Sequence, residues 1–464
     1  MDHTSGDKCS DRQKEYKMNK TSKVKGALEI LLVIGLILVI PLFFAIKTAA
    51  NPQVAQNTVT PTILPATPPS TPAALRAAAQ QPPPCTFPLA QTTTVESTPE
   101  EYVFSEPQVV LTAGAGDATI VIVEWLPDNQ RVLITQEFRG NSQQNIELFN
   151  PQTGERQVYA TRQRIDQPPS WLPELNAVIY PAVYILKDDK INHRYEFTRQ
   201  VLISRGNPKN TQLIADNLTD FSIAVKPGNS QVVYLSDKHL SKRNGALEAL
   251  QPVVVDLNHW NYRQMGMGVT PSYDLAWRPG SSQIFFYSDG NTGGYTFLLD
   301  ANTGDVCELN FDGWAGVGRW SSDGRYLAIT RATDSIPINS SDLAVLDTAT
   351  GNIYAMQLAP QELHGRHYVE DFVWAPDNIH LVAIGSILPF PPTGRLYDKD
   401  IFSGLYLVDF AAGQSVHLLS EHKFFTDWPG TNLAWSPDGS KLLIGCTAND
   451  NLRLCLIPVH RTGK

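Results

Sequence analysis

One phrase recurs seven times along this chain of 464 residues, and it constrains the fold more than any other feature. In its fullest form it reads LAWSPDGSKLL, residues 433–443, with a Pro-Asp-Gly turn between two apolar segments. Proline presets φ at the first corner of a turn, aspartate accepts bonds from the nearby backbone, and glycine adopts positive φ without strain. Each copy is therefore predicted to form a β-hairpin.

The copies follow one another at intervals between 43 and 61 residues. Their anchor position is held by Trp125, Trp171, Val225, Trp277, Trp320, Trp374 and Trp435. A second pair of apolar segments follows the hairpin, as in FLLDANTGDVCEL, residues 297–309. Four strands in about fifty residues match one propeller blade, and blades must stack around an axis to cover their faces. We therefore predict an all-β fold, a seven-bladed β-propeller of four-stranded antiparallel blades over residues 103–464, with the tryptophans packed between neighbouring blades.

The Trp-Ser-Pro-Asp-Gly phrase with its following apolar strand resembles the TolB-like β-propeller repeat, a relative of the WD-type blade. The resemblance covers residues 108–460 and implies the fold, but not an activity, because such propellers serve many functions. The small α/β domain that precedes the propeller in TolB has no counterpart here, so TolB's partners are not carried over. The seventh copy lacks an outer strand, and QVVL, residues 108–111, is predicted to supply it.

The N-terminal region has a different character. Residues 1–25 form a polar, lysine-bearing tail, and residues 26–47 form a predicted transmembrane helix whose apolar stretch begins at Ala27 and ends at Ile46. Twenty helical residues span about 30 Å, the thickness of a bilayer core. The excess of basic residues before this stretch predicts a single-pass plasma-membrane protein with a cytoplasmic N-terminus and an extracytoplasmic propeller, periplasmic or extracellular. A cleaved signal peptide is the alternative, although its apolar core is normally shorter.

Residues 48–102 are rich in proline and threonine and predict a disordered stalk. The formal net charge is −9 and no basic stripe is visible, which argues against nucleic-acid binding.

The five cysteines fit no zinc spacing. If the last hairpin turns at Asp450 and Asn451, Cys446 and Cys455 face each other across adjacent strands and form a disulfide candidate; two buried thiols are the alternative. The sequence leaves open whether Cys85 and Cys307 pair.

The predicted connectivity sorts the loops onto two faces. The short turns lie on one, the turn face, and the links between second and third strands and between blades lie on the other, the long-loop face. Long loops on a rigid scaffold usually carry function. The predicted ligand-binding residues there are Trp314, His364, Arg366, His367, Tyr368, Tyr397, Asp398, Phe424, Phe425 and Trp428. Aromatic side chains beside charges suit a protein, peptide or glycan partner, whereas the alternative is that these rings only seal loops onto the ring.

Motifs for catalysis were not found. No G-x-S-x-G is present, and HGRH, residues 364–367, is not the H-E-x-x-H of zinc peptidases. The sequence therefore predicts no catalytic residue, no metal and no cofactor, and favours a non-enzymatic protein-, peptide- or glycan-binding module. The alternative is a propeller enzyme of the glycoside hydrolase or polysaccharide lyase type. That alternative requires acids and histidines close together at the central mouth, some with shifted pKa values.

Overall fold

The computed structural model separates residues 1–78 from a second, compact unit, residues 79–464. All the residues described here belong to the second unit: 83–87, 101–112, 118–138, 143–163, 167–189, 194–216, 218, 222–236, 251–265, 272–290, 293–309, 311, 314–332, 341–356, 358, 365–389, 402–422, 424, 433–448 and 451–462. Within these ranges no helix has the length and hydropathy to cross a membrane. The predicted tail, the predicted transmembrane helix at 26–47 and most of the predicted stalk lie outside the described residues.

The described strands form seven antiparallel sheets, one for each copy of the repeat. Two strands near the N-terminus, β1 (Glu101–Phe104) and β2 (Gln108–Thr112), precede the first complete blade. Blade one contains β3 (Ala118–Trp125), β4 (Val132–Phe138), β5 (Gln143–Phe149) and β6 (Arg156–Gln163). Blade two contains β7 (Ser170–Leu172), β8 (Ala177–Asp189), β9 (Arg194–Ser204) and β10 (Thr211–Ala215), with one turn of 3-10 helix at Pro173–Leu175. Blade three contains β11 (Ile223–Val225), β12 (Gln231–Ser236), β13 (Gln251–Asp256) and β14 (Asn261–Gln264).

The remaining blades repeat this order. Blade four contains β15 (Ser272–Trp277), β16 (Gln283–Gly290), β17 (Gly293–Asp300) and β18 (Val306–Leu309). Blade five contains β19 (Trp314–Trp320), β20 (Tyr326–Ala332), β21 (Asp342–Asp347) and β22 (Ile353–Met356). Blade six contains β23 (Gly365–Trp374), β24 (His380–Pro389), β25 (Phe402–Asp409) and β26 (Gln414–Leu418). Blade seven contains β27 (Leu433–Trp435), β28 (Lys441–Ala448) and β29 (Asn451–Thr462).

The first strand of every blade is the innermost one. These seven inner strands, β3, β7, β11, β15, β19, β23 and β27, contact one another in sequence, and β27 contacts β3, so the ring is closed. Each inner strand begins at the long-loop face and ends at the turn face. The predicted all-β, seven-bladed propeller of four-stranded antiparallel blades is confirmed.

Blade seven is completed by the N-terminal strands. The predicted outer strand at residues 108–111 is confirmed, because β2 pairs with β29 and places Val109 opposite Cys455. The sequence did not predict β1. This strand pairs with the other half of β29 and places Phe104 opposite Val459. The twelve residues of β29 therefore hold both strands and leave neither half of its outer edge open.

The recurrent tryptophans pack between blades, as predicted. Trp125 lies in a cluster with Leu443 and Leu454 of blade seven, and Trp320 lies in one with Phe285 of blade four. The indole N–H of Trp320 donates to the Ala276 carbonyl at 3.1 Å, on the inner strand of the preceding blade. The indole thus joins apolar packing to a bond that satisfies an open strand edge.

The described residues contain two disulfides. The Cys446–Cys455 disulfide joins Cα atoms 5.9 Å apart. The predicted register is wrong, because the hairpin turns one residue earlier and places Cys446 opposite Arg453 and Cys455 opposite Ile444. The two cysteines are diagonal neighbours on one sheet face, and they still come within bonding reach. The second disulfide joins Cys85 to Cys307 of β18, and so places part of the predicted stalk on blade four.

Candidate functional site

Three carboxylates stand on inner strands, each directly after a β-bulge. The ladder shifts register between Ile122 and Glu124 in β3, between Ser272 and Asp274 in β15, and between Val369 and Asp371 in β23. A bulge adds one residue to a strand and re-aims the side chains around it, and bulges are frequent beside active sites. The same local distortion therefore directs an acid toward the neighbouring inner strand in three different blades.

Asp274 of blade four accepts a bond from the backbone N–H of Gly318 at 2.7 Å, on the inner strand of blade five. Gly318 has no Cβ, and one would clash with the ring of Phe285, so the two blades approach closely here. Burial raises the pKa of Asp274 to about 6, against the lowering effects of the Gly318 N–H and the positive charge of Arg319. This acid therefore changes between its protonated and ionised forms near pH 6.

Arg319 joins this acid to the next one. Its guanidinium forms an ion pair with Asp371 of blade six at 2.7 Å and also donates to the carbonyl of Phe372. Asp371 accepts a further bond from the Phe372 N–H at 2.8 Å. The Arg319 side chain is 22% exposed and that of Asp371 4%, so the cation keeps accessible surface while its partner does not. The group Asp274, Arg319 and Asp371, here called the axial cluster, spans blades four to six.

Glu124, the third of these carboxylates, lies on the inner strand of blade one. It accepts a bond from the backbone N–H of Trp171 at 2.6 Å, again on the next inner strand. Burial raises its pKa to about 7, and the Trp171 N–H opposes that shift.

Most of the other blades carry no charge at the positions that the axial cluster occupies. Asp274 and Asp371 stand three residues before the anchor tryptophan, where the other blades carry Ile122, Pro168, Ser222, Val317 and Asn432. Arg319 stands one residue before the anchor, where four other blades carry Ala224, Ala276, Val373 and Ala434. Equivalent positions in a repeat meet similar structural demands. Because most blades form without a charge at these positions, the fold itself does not require the axial cluster.

Two further polar pairs lie nearer the long-loop face, one in blade five and one in blade six. Arg331 pairs with Asp342 at 2.9 Å, and burial raises the pKa of Asp342. Glu370, the bulged residue of β23, accepts a bond from the Ser386 hydroxyl at 2.5 Å. Polar pairs therefore lie on the long-loop side of the axial cluster in both of these blades.

Several predicted ligand residues lie at the entrance to the same blades. Trp314 is the first residue of β19, and Arg366, His367 and Tyr368 lie near the start of β23. Tyr368 precedes Asp371 by three residues, about 10 Å along the strand. The topology therefore places these four residues at the long-loop end of the strands that carry Arg319 and Asp371.

The other predicted ligand residues divide into two groups. Phe424 is a core residue, 5% exposed, and packs in the cluster that contains Cys446 and Cys455. Its ring therefore seals a loop onto the ring of blades, as in the alternative interpretation. The other members lie outside the described residues: His364, Tyr397, Asp398, Phe425 and Trp428.

The predicted ligand residues did not include the axial cluster, because they were chosen from the long loops and not from the inner strands. The signal was present in the alignment of the seven copies, as charges at positions that are usually apolar or neutral. Among the described residues no group of three or more His, Cys, Asp or Glu side chains could hold a metal ion.

No protein-family model matches the sequence, and no curated protein matches it. Among solved structures, an oligogalacturonate lyase in complex with manganese gives a TM-score of 0.53 at 12% identity, covering 78% of this chain and 98% of that one. An oligogalacturonate lyase from Vibrio parahaemolyticus gives 0.49 at 10% identity, covering 77% and 98%. TolB from Acinetobacter baumannii gives 0.37 at 13% identity, covering 69% and 77%. Structural neighbours thus include TolB and other β-propellers, and at these identities the likeness shows the fold alone.

The prediction of a non-enzymatic binding module is overturned by these findings. One solved propeller that is matched over 98% of its length is a lyase, which agrees better with the alternative of a propeller enzyme. Of the features that this alternative requires, the axial cluster has two acids, of which Asp274 has a raised pKa; it contains no histidine.

Proposed function

We propose that this chain is a propeller enzyme of the polysaccharide lyase type, acting on a glycan that contains uronic acid. The observation that carries the proposal is the axial cluster, in which a partly exposed arginine pairs with Asp371 and its charge acts on the buried Asp274, at positions where most blades have no charge. The fold match with an oligogalacturonate lyase supports the substrate class.

Arg319 is the proposed partner of the substrate carboxylate. Its guanidinium is positioned by Asp371 and by the Phe372 carbonyl, and it retains exposed surface for a second anion. Arginine binds carboxylates through a planar pair of donors, and this geometry would also stabilise charge that develops on the uronate during proton removal.

Asp274 is the proposed proton-transfer group. A general base works best when its pKa lies near the working pH, and the pKa of about 6 meets this condition. In the reaction, the base takes the proton on the carbon next to the uronate carboxylate. The electron pair of that C–H bond forms a carbon–carbon double bond, the bond to the neighbouring sugar oxygen breaks, and that oxygen gains a proton.

The experiment is to incubate the purified full chain with oligogalacturonates and other uronate oligosaccharides and to follow the ultraviolet absorbance of the unsaturated product. Arg319→Gln should abolish the signal, and Arg319→Lys should retain part of it. The matched control is Arg325→Gln, since Arg325 pairs with the buried Asp347 on the turn face at 2.9 Å. New reducing ends without unsaturated product would favour a hydrolase, and inertness toward all uronate substrates would overturn the proposal.

We further propose that the enzyme is anchored through residues 27–46 with the propeller outside the cytoplasm. The two disulfides support this location, because such bonds persist in oxidising compartments. Protease added to intact cells should then degrade the propeller. Full protection would contradict an extracellular location, and protection that also persists after the outer layers are permeabilised would contradict a periplasmic one.

A further inference from the structure

Residues 83–87, here called the strap, run along the outer edge of blade four. Pro84 forms a parallel bridge with Glu308 of β18. The Cys85 N–H donates to the Glu308 carbonyl at 2.8 Å, and the Glu308 N–H donates to the Pro83 carbonyl at 2.9 Å. The strap therefore acts as a short fifth strand, held by the Cys85–Cys307 disulfide.

The strap also reaches the next blade. Phe87 packs at the edge of the cluster formed by blades four and five and lies beside Gly351, in a turn of blade five where a Cβ would touch its ring. A cleft of about 340 Å³ opens beside it, and both Cys85 and Cys307 contribute to its lining. Solvent and small thiols therefore have a route to this disulfide.

The second disulfide has a different environment. Cys446 and Cys455 are both buried, in a cluster that contains Phe424, Tyr102 and Trp435. Cys85 and Cys307 are only partly buried. Thiol–disulfide exchange requires an attacking thiolate to reach a sulfur atom, so access decides which of two bonds is reduced first.

We propose that the Cys85–Cys307 disulfide is a selectively reducible clamp that holds the strap on blade four. A dithiol reductant attacks one sulfur to form a mixed disulfide, and its second thiol then closes the reductant's own disulfide. The products are two protein thiols and one oxidised reductant. The strap then leaves the edge of β18 and opens the cleft between blades four and five, while the disulfide of blade seven remains intact.

Release has a local consequence at the strand edge. Without the strap, the Glu308 N–H and carbonyl lose their backbone partners in the strap. Open strand edges accept other extended segments, so the reduced protein presents a pairing edge that the oxidised protein covers.

The first test uses the full chain with increasing dithiothreitol. Thiols are alkylated before and after complete reduction with two distinguishable reagents, and the peptides are identified by mass spectrometry. We expect Cys85 and Cys307 to be alkylated at least about tenfold faster than Cys446 and Cys455, because only the former are accessible. Equal rates, or faster labelling of the blade-seven pair, would overturn the proposal.

The second test follows amide hydrogen exchange at Glu308 and at Cys85. Selective reduction, or Cys85→Ser, should accelerate exchange of both amides by at least about tenfold. The reason is that the Glu308 N–H then loses the Pro83 carbonyl and the Cys85 N–H loses the Glu308 carbonyl. The matched control is the double variant Cys446→Ser and Cys455→Ser, which should leave these two amides unchanged. Unchanged protection after reduction of the wild-type chain would show that the strap stays docked without its disulfide, and so would refute the clamp even if the serine variants fail to fold.

Discussion

The indole N–H of Trp374 donates to the backbone carbonyl of Arg319 at 2.9 Å. The residue that packs blade six against blade five therefore also fixes the backbone of the arginine in the axial cluster. This contact joins the repeated packing of the fold to the proposed site, which is specific to blades four to six.

Trp374→Phe should lower the free energy of unfolding by about 1 kcal/mol, because it removes this bond and keeps most of the ring packing. It should also raise the KM for a uronate substrate, since Arg319 loses backbone support. The control is Trp125→Phe, whose indole N–H is buried and finds no acceptor among the described residues. That variant should lose less stability, as measured by urea denaturation; an equal loss would show that ring size alone matters.

Asp371→Asn should cost about 3 kcal/mol of stability, because it leaves the Arg319 charge without its buried partner. Activity should fall as well, because the KM for a uronate substrate should rise. Asp347→Asn is the matched control: Asp347 is 1% exposed and pairs with Arg325, which is 33% exposed, on the turn face. It should also destabilise the fold but leave KM unchanged. A comparable rise in KM in both variants would remove Asp371 from the site.

The stability of the fold should fall as pH rises through the range set by Glu124 and Asp274. In the folded state their pKa values are raised to about 7 and about 6, whereas in the unfolded chain both ionise near pH 4. Between those values the folded state binds protons that the unfolded state has released. Their stabilising contribution is thus complete below about pH 4 and is lost by about pH 7.

Glu124→Gln and Asp274→Asn should each flatten this part of the pH profile, measured as unfolding free energy from urea titrations. Asp438 acts in the opposite direction: partial burial raises its pKa, but bonds from Ser440 and Ser436 outweigh this effect and lower the pKa to about 2. Its contribution is present above the unfolded pKa near 4 and is lost as pH falls toward 2. Asp438→Asn is therefore a control that leaves the slope above about pH 4 unchanged. Parallel profiles for all variants would contradict the assignment.

Two truncations isolate the contribution of β1. Removing residues 1–100 keeps β1, whereas removing residues 1–107 deletes it, and both lack the strap. The longer deletion should lose about 3 kcal/mol more stability, because Tyr102 is buried against Trp435 with ring centroids 5.3 Å apart and donates to Asp377 at 2.8 Å. Amide exchange of His460, opposite Val103, reports the opened edge, whereas the Val459 N–H donates to the Ser440 carbonyl and should keep its protection. Equal stability of the two truncations would mean that β2 alone closes the ring.

Much of the fold was readable from the repeat, because an apolar anchor, tryptophan in six of the seven copies, and a related polar turn recur in every blade and each has a local physical cause. The outer strand at 108–111 followed from the missing strand of the seventh copy. The strap and β1 did not, because both are short segments whose partners lie hundreds of residues away. The diagonal placement of Cys446 and Cys455 depended on a one-residue choice of turn, which sequence patterns rarely fix.

The site was harder to predict for a similar reason. Asp274 and Asp371 acquire their surroundings from bulges and from neighbouring blades, and neither feature is visible in a single copy of the repeat. The charges themselves were visible once the seven copies were aligned, and only their meaning required the structure.

The strands of blade seven come from residues 101–112 and 433–462. Its sheet therefore joins two segments that are far apart in the sequence and are translated at different times. While the ribosome is still adding β29, the nascent ring has six complete blades and an unfilled gap, and β1 and β2 have no strand to pair with. Pairing across so large a sequence separation is slow. Co-translational folding should therefore stall at the last blade, and this is the interval in which chaperones that hold open strands would act on the chain.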